Sequence, residues 1–283
     1  MKILAIGDFH GRFPKKYENL IKKEKIDLVV SNGDYPPFSL VEEFFKYVYK
    51  NPFDVNLWDF IGKKRYKETV IRDHKKGEEV LKKLNKLPVP VFTVFGNHDH
   101  PHSDVMDILK PKDVWEWDWE RQTFFARVLK KYKNIKRIDY RYAEFKGYIF
   151  IGARGSSFPG RVKSKAFKRH RKKLDKLFRK FSKENKQRKV IFVSHNVPYE
   201  TKLDKVTAKD SHELARGRHY GSKLVRRIID KYKPVFYMGG HIEEGYGKQK
   251  IGRTLMINTG SIHHGQGAII DINKGKVKVK FIN

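Results

Sequence analysis

The sequence predicts an α/β protein, and three observations support this fold class. Short apolar runs alternate with longer segments of helical periodicity along most of the chain. Near the amino end, a strand at 2–7, a helix at 14–24 and a strand at 27–31 form a strand–helix–strand unit, which favours a parallel pair. Several apolar runs stop abruptly at Asp, Asn or His, and ligands bind at the carboxyl ends of strands in open α/β sheets.

The remaining elements follow the same alternation. Pro36-Pro37 breaks the chain after the second strand, and a mostly helical region of about 35–88 leads to a third apolar run, Val89–Phe95. Further strands are predicted at 135–138, 142–145, 148–151, 190–193, 235–238, 255–257, 268–271 and 277–281, and further helices at 115–132, 161–189 and 221–231. The pattern contains no internal repeat and no long linker, so we expect a single domain over 1–283.

The charge of the chain is unusual. Lys and Arg total 63 against 32 Asp and Glu, a formal net charge of +31. Such an excess points to polyanionic partners, most often nucleic acid. A lysine-rich surface that reflects the codon habits of the host is the alternative.

Other features of the composition exclude several kinds of protein. The absence of cysteine excludes disulfides, thiolate nucleophiles and Cys-ligated zinc, and it weakly indicates a thermophilic host. No apolar run approaches the ~18 residues of a membrane span. The opening apolar run is too short for a signal-peptide core, so we expect a cytoplasmic protein.

The segment 161–189 concentrates the positive charge. It carries fifteen Lys or Arg against two acids, while Phe167, Leu174 and Phe178 recur at helical spacing, so it is predicted to be an amphipathic basic helix. A charge run of this kind often marks a solvated face. A track for a phosphate backbone and a contact with an anionic membrane surface are the functional alternatives.

Five strand ends carry residues that ligate metals. They supply Asp8 and His10, then Asp34, then Asn97 and His98, then His195, and finally His241. Asp and His side chains suit divalent transition metals such as manganese, iron, zinc or nickel. The set exceeds what one ion needs, so a pair of ions is the better fit, and two ions form a known clamp for displacement at phosphorus.

These residues resemble the ordered motifs of the calcineurin-like metallophosphoesterases. The matching blocks are Gly7-Asp8-Phe9-His10-Gly11, Gly33-Asp34, Gly96-Asn97-His98-Asp99, Ser194-His195 and Gly240-His241, each after a predicted strand. The resemblance implies a four-layer αββα sandwich of two mixed β-sheets flanked by helices, with a dinuclear site at the strand ends. On this basis the region at about 35–88 is interpreted as a helical insertion.

The resemblance also implies roles for individual residues. Asp8 and His10 would bind the first metal, Asp34 would bridge the two, and Asn97, His195 and His241 would bind the second. His98 would stabilise phosphoryl charge and protonate the leaving oxygen, with Asp99 orienting it through a hydrogen bond. A hydroxide that bridges the metals would attack phosphorus in line.

The last block departs from the family pattern. It reads Gly240-His241-Ile242-Glu243 where the family usually has a second His, so Glu243 is the expected ligand of the first metal. A carboxylate oxygen favours harder ions, which makes Mn²⁺ the first expectation, with Mg, Fe, Ni or Zn as alternatives.

Three residues are weaker candidates for substrate binding. Arg12 and Arg154 are candidate phosphate contacts, and Arg154 lies in a glycine-rich turn at 152–157. His219 is a further candidate, although Ser222 in the same stretch is typical of a helix N-cap.

The sequence therefore predicts a metal-dependent phosphoesterase that hydrolyses phosphate esters, with phosphodiesters of nucleotides or nucleic acid as the leading substrate class. The alternative is a nucleic-acid-binding protein with little or no catalysis on a phosphoesterase scaffold.

Overall fold

A computed structural model describes residues 1–49, 55–99, 115–155, 162–207, 213 and 215–283. Two six-stranded mixed sheets form its centre, in the orders β12-β11-β1-β2-β3-β4 and β5-β6-β7-β8-β10-β9. The strands are β1 Lys2–Ile6, β2 Leu28–Ser31, β3 Val91–Thr93, β4 Ile135–Arg137, β5 Tyr142–Phe145, β6 Tyr148–Ala153, β7 Val190–Asn196, β8 Phe236–Gly240, β9 Gly247–Ile251, β10 Thr254–Asn258, β11 Gly267–Asn273 and β12 Lys276–Ile282. The predicted α/β class and pair of mixed sheets are confirmed.

Helices cover the outer faces of both sheets. They are α1 Lys15–Lys23, α2 Val41–Glu43, α3 Leu57–Ile61, α4 Lys63–Asn85, α5 Glu116–Leu129, α6 Lys165–Lys180, α7 Ser182–Lys186 and α8 Lys223–Tyr232. Helices α1, α4 and α5 pack on the first sheet, and α6 and α8 pack on the second. This arrangement is the predicted four-layer sandwich.

Alternation along the strands explains the layers. In β1, Ile3 and Ala5 face the interior between the sheets, whereas Leu4 and Ile6 face the helices. Successive side chains of a strand point to opposite faces, so a strand that is apolar throughout is buried on both sides. All four of these residues are fully buried.

The parallel strands place their carboxyl ends together. Strands β1, β2, β3 and β4 are parallel neighbours in the first sheet, and β6, β7, β8 and β10 are parallel neighbours in the second. Helices of the outer layers lie between the other parallel neighbours, whereas β9 lies between β8 and β10. The loops that follow the parallel strands therefore gather at one edge of the sandwich.

The region predicted as a helical insertion contains α2 to α4, and a π-helical segment, Phe44–Val48, continues α2. It has a small apolar cluster of its own, which includes Leu40, Val48, Leu57 and Tyr66 and reaches Trp117 of α5. Its interpretation as an insertion stays a prediction.

The basic segment forms two helices rather than the single one predicted. Helix α6 begins at Ser164, whose side chain accepts a hydrogen bond from the Phe167 N–H at 3.0 Å, and it ends at Phe181. Phe181 is buried against Tyr142, with ring centroids 4.6 Å apart, and α7 begins directly after it. In the described ranges, no helix is long and apolar enough to cross a membrane.

Candidate metal centre

The predicted ligands meet where parallel strands of both sheets end. They come from five places: Asp8 and His10 after β1, Asp34 after β2, Asn97 after β3, His195 near the end of β7, and His241 and Glu243 after β8. Within the described ranges, two groups of three place their ligand atoms within 4.8 Å of one another. These groups are Asp34, His195 and His241, and Asp8, His10 and Glu243.

The backbone at these positions is in an uncommon conformation. Asp8, His10, Asp34 and His241 have φ angles of 50°, 46°, 57° and 75°. Residues with a Cβ rarely occupy this left-handed region, and such strained residues cluster at functional sites. The local backbone is therefore shaped for the site at a cost in stability.

Glycine allows the close approach of Asp34. A Cβ at Gly96 would lie 1.9 Å from Asp34 Oδ1, and a Cβ at Gly33 would lie 2.2 Å from the backbone N of Gly96. Real Cβ atoms do not approach other atoms so closely, so the second and third motifs can meet only if both positions are glycine.

In the group of Asp34, His195 and His241, which is the richer in nitrogen, His195 is the predicted ligand whose ring orientation is best defined. Its Nδ1 lies 3.0 Å from the Asn32 carbonyl oxygen, which can only accept, so Nδ1 carries the proton and Nε2 presents a lone pair. That lone pair faces Asn97 Oδ1 at 2.8 Å, His241 Nδ1 at 3.1 Å and Asp34 Oδ2 at 3.4 Å. Burial lowers the pKa of His195, and burial together with His195 lowers the pKa of His241 to about 3, so both rings are neutral.

The second group is richer in oxygen. His10 Nε2 lies 2.9 Å from Glu243 Oε1, and the backbone N–H of His241 donates to Asp8 Oδ2 at 3.2 Å. Burial raises the pKa of Asp8 well above its ordinary value, and the charges of Asp34 and Glu243 raise it further. Burial also disfavours a charge on His10, but its contact with Glu243 outweighs burial and raises the pKa of His10 to about 9.

His264 completes this group, although no sequence motif indicated it. Its Nε2 lies 3.0 Å from Glu243 Oε2, so Glu243 contacts one histidine through each carboxylate oxygen. The loop that carries His264 is tied to the first motif, because the Ile262 N–H donates to the Gly7 carbonyl and Ser261 Oγ donates to the Asp8 carbonyl.

His98 lies beside the cluster. Its ring Nε2 is 4.0 Å from Asp34 Oδ2, and its backbone N–H donates to Asp34 Oδ1 at 2.9 Å. Phe38, from the region before α2, packs on the His98 ring with centroids 4.7 Å apart. Burial lowers the pKa of His98, while the nearby Asp34 charge opposes this shift. Phe38 is a second contact that sequence patterns did not indicate.

Asp99 accepts hydrogen bonds from backbone groups of the second and third motifs. Its Oδ2 accepts the backbone N–H groups of Asp34 and Gly96, at 2.7 and 2.8 Å, and its Oδ1 accepts the Tyr35 N–H at 2.6 Å. The carboxylate therefore joins the backbones of the second and third motifs. The predicted orientation of the His98 ring by Asp99 stays a prediction.

A sequence model of the calcineurin-like phosphoesterase family matches residues 1–243, which include every predicted ligand. The chain belongs to the calcineurin-like phosphoesterases. The resemblance inferred from the ordered motifs is thereby confirmed.

Solved structures show the same fold at low sequence identity. One crystal structure superposes with a TM-score of 0.67 at 20% identity, covering 100% of this chain and 99% of the other. Protein TT1561 of Thermus thermophilus superposes with a TM-score of 0.56 at 15% identity, covering 99% of this chain and 97% of the other. No curated protein matches the chain.

The donor atoms fit the divalent metal ions that the phosphoesterase family implies. The His195 Nε2 lone pair lies 2.8 Å from Asn97 Oδ1 and 3.4 Å from Asp34 Oδ2, and both of these oxygen atoms are acceptors. Bare lone pairs packed at such distances repel one another, and a cation between them removes the repulsion. In the other group, the carboxylates of Asp8 and Glu243 would attract a cation.

The three candidate substrate contacts of this phosphoesterase differ in placement. Arg12 is exposed and lies near His263. Burial and the Arg12 charge both lower the pKa of His263. Arg154 precedes Gly155, where a Cβ would lie 2.5 Å from the His195 ring, so this turn reaches the metal centre. The end of the turn, 156–157, lies outside the described residues.

His219 is held in a loop by Asp204, whose Oδ1 is 2.8 Å from His219 Nδ1. Asp204 also accepts backbone N–H groups of the same loop, including those of Thr201 and Gly221. Ser222 accepts the Val225 N–H at 3.2 Å, which confirms the N-cap of α8. Contact of Arg12, Arg154 or His219 with substrate stays a prediction.

Proposed function

We propose that this calcineurin-like phosphoesterase is a dinuclear metal-dependent phosphodiesterase. The strongest support is that Asn97, His241 and Asp34 all approach the Nε2 lone pair of His195. The second group, Asp8, His10 and Glu243, lies beside them. Two adjacent ligand groups suit two ions, and Asp34 is the expected bridge between them.

Bound divalent ions supply Lewis acidity at phosphorus and acidify the attacking water. The protein supplies the rest of the chemistry. His98, beside Asp34, donates a proton to the leaving oxygen, and an anionic phosphate next to its ring favours the protonated form. Phe38 covers one face of that ring and restricts its orientation. Asp99 maintains the relative position of the second and third motifs.

The metal is proposed from the types of ligand atom in the site, and the substrate class is proposed from the net charge of the chain. Glu243 and Asp8 make one group oxygen-rich, which favours Mn²⁺ over the softer Zn²⁺, with Mg, Fe and Ni as further candidates. The net charge of +31 favours a polyanionic substrate, so a nucleotide or nucleic-acid diester is proposed. The single domain over 1–283 and the cytoplasmic location stay predictions from the sequence.

The test begins with chelator-treated protein. Mn²⁺, Mg²⁺, Zn²⁺ and Ni²⁺ are added one at a time, and hydrolysis of bis-p-nitrophenyl phosphate is compared with that of p-nitrophenyl phosphate. We expect the greatest turnover with Mn²⁺ and a preference for the diester. The variant His98→Ala should lose about 10²- to 10⁴-fold in kcat while keeping its metal content. Absence of turnover with every metal would rule out the enzyme.

A second function is supported by the basic surface of α6. This helix carries nine Lys or Arg and one acid, Asp175, and its apolar side is buried against the second sheet. A nucleic-acid-binding protein without catalysis would bind RNA or DNA in chelator, with steep salt dependence, and would leave it uncleaved when metals are restored.

A further inference from the structure

A groove of about 730 Å³ lies between helices α6 and α8, on the outer face of the second sheet. The loop after β7 contributes Tyr199 to its wall, and the first turns of α6 contribute Phe167 and Arg171. From α8 come four cations and one acid: Lys223, Arg226, Arg227, Lys231 and Asp230. The groove is therefore a concave surface with an excess of positive charge and one half-buried aromatic side chain, that of Tyr199.

Part of that charge is already neutralised within the fold. Arg226 pairs with Asp230 at 2.9 Å and donates to the carbonyl oxygens of Tyr199 and Glu200, so it holds the loop to the helix. Lys231 pairs at 2.9 Å with Asp175, the acid of α6.

The other three cations are available to a ligand. In the part of the chain that the structure describes, no carboxylate pairs with Arg171, Lys223 or Arg227. Lys223 lies over the Tyr199 ring, 4.7 Å from its centroid, which holds the ammonium group at the wall of the groove. Three cations gathered in a concavity repel one another, and an anion bound there relieves that repulsion.

The groove is linked through the chain to the strand that carries His195. Tyr199 follows His195 by four residues, and the N–H of Ser222, the N-cap of α8, donates to the carbonyl of Val197 at 2.7 Å. The amino end of α8 is therefore attached to the end of β7 that carries a predicted metal ligand.

The shape and the chemistry select a single strand of nucleic acid as the occupant. Proteins that bind single strands combine a basic groove, which follows the backbone, with aromatic side chains beside the bases. Tyr199 is half-buried in the wall and provides such a side chain.

A membrane surface fits less well. Helices that lie on membranes insert their apolar face, but Phe167, Leu174 and Phe178 of α6 are buried in the core of the second sheet. A flat bilayer also cannot enter a groove between two helices.

We propose that the groove between α6 and α8 is a docking site for single-stranded nucleic acid, which it holds next to the metal centre. The proposal extends the phosphodiesterase function proposed above, since the groove would select polymeric substrates. Strand binding in the groove itself needs no metal, so it can be measured separately from catalysis.

The test reverses the three available charges. The variant Arg171→Glu/Lys223→Glu/Arg227→Glu is compared with a matched control, Lys22→Glu/Lys23→Glu/Lys130→Glu, which reverses three exposed lysines on α1 and at the end of α5. Binding of a short labelled oligoribonucleotide is measured by fluorescence anisotropy in chelator at several salt concentrations. Circular dichroism verifies that both variants fold.

We expect the groove variant to bind the oligonucleotide at least about tenfold more weakly than the control variant. The slope of log K against log salt concentration should also be smaller in magnitude by about 2 for the groove variant, because three phosphate contacts are lost. With Mn²⁺, turnover of bis-p-nitrophenyl phosphate should be unchanged in both variants, because this small diester does not reach the groove. KM for an oligonucleotide should rise only in the groove variant.

Several results would overturn the docking site. If the groove variant and the control variant lose oligonucleotide affinity equally, the loss results from the change in net charge and not from the groove. If the wild type binds duplex and single strand with equal affinity, the groove does not select single strands. Binding to phosphatidylserine vesicles that the groove variant abolishes, without oligonucleotide binding, would assign the surface to membranes. If no metal supports turnover but the groove variant still loses strand binding, the docking site stands and the phosphodiesterase is excluded.

Discussion

The two ligand groups of the metal centre differ in composition and in access to solvent. The group of Asp34, His195 and His241 is rich in nitrogen, and the side chains of His195 and Asp34 are 0% and 3% exposed. In the group of Asp8, His10 and Glu243 two of the three ligands are carboxylates, and the side chains of His10 and Glu243 are 23% and 26% exposed. The first group has two buried ligands and one partly exposed ligand, whereas the second has one buried ligand and two partly exposed ones.

In the proposed dinuclear centre, this difference would hold one metal firmly and leave the other more adjustable. The buried group has its tautomer set by a backbone carbonyl, that of Asn32, so few substitutions can reproduce it. The open group depends on Glu243, which His10 and His264 contact from either side. Metal identity and exchange should therefore be decided mainly in the oxygen-rich group.

The largest effect is expected from the buried group. In His195→Ala the lone pair on which Asn97, Asp34 and His241 converge is lost, so one of two bound metals should be lost with it. Diester hydrolysis should fall by about 10³-fold or more, because the Lewis acid contributes several kcal/mol to the barrier. Elemental analysis after dialysis measures the metal content, and retention of both metals would contradict the assignment.

A smaller effect is expected from the open group. Glu243→Ala should weaken Mn²⁺ binding at one site by about 10²-fold and leave the other site filled, so high Mn²⁺ should restore activity. The neighbouring exposed Glu244 offers the matched control, Glu244→Ala. Titration calorimetry with Mn²⁺ distinguishes the variants, and equal behaviour of the two would remove Glu243 from the ligand set.

A still smaller effect should identify the role of His264. Its contact with Glu243 is a positioning contact, so His264→Ala should weaken Mn²⁺ binding by about tenfold, while His264→Gln, which can still donate, should recover part of the loss. His263→Ala, in the same loop, is the control. If calorimetry shows no difference between His264→Ala and His263→Ala, Glu243 does not depend on His264.

A buried histidine outside the metal centre completes the comparison. Burial and the Arg121 charge lower the pKa of His74 to about 3, and its ring packs on Phe124 with centroids 4.8 Å apart. Because the unfolded chain binds this proton near pH 6.5, stability falls as pH drops from about 6.5 toward 3, by about 2 kcal/mol at about pH 5.

The variant His74→Gln removes that dependence. Urea unfolding in chelator measures the free energy of unfolding of the wild type and of the variant. The value for the wild type minus the value for the variant should fall by about 2 kcal/mol when the pH is lowered from about 7 to about 5. The histidines of the metal centre are present in both proteins and cancel from the comparison. A constant difference would show that folding leaves the pKa of His74 unchanged.

Much of the fold and the candidate ligand set could be predicted because the signals are local. An apolar run followed by Gly33-Asp34 or Gly96-Asn97 encodes both a buried strand and the residues at its end. Parallel pairing then brings such ends together, so contiguous motifs were sufficient to identify the family.

The contacts that the sequence did not predict join segments far apart in the chain. Phe38 reaches His98, and His264 reaches Glu243, only because the connecting helices and strands pack as they do. Asp99 belongs to a contiguous motif, yet its carboxylate accepts hydrogen bonds from the backbone of Asp34 and Tyr35. The spacing of residues within the motif could not predict these two partners.

The sequence by itself predicted the α/β class, the family and the chemical types of the ligands, because each follows from residue identity, ordered motifs and short-range periodicity. The resemblance to the family then implied the two mixed sheets and the division of the ligands between two metals. Only the tertiary structure decided what contacts Glu243, what the Asp99 carboxylate binds, and where the positive charge of α6 and α8 forms a groove. These depend on distances between side chains of separate elements, which packing alone determines.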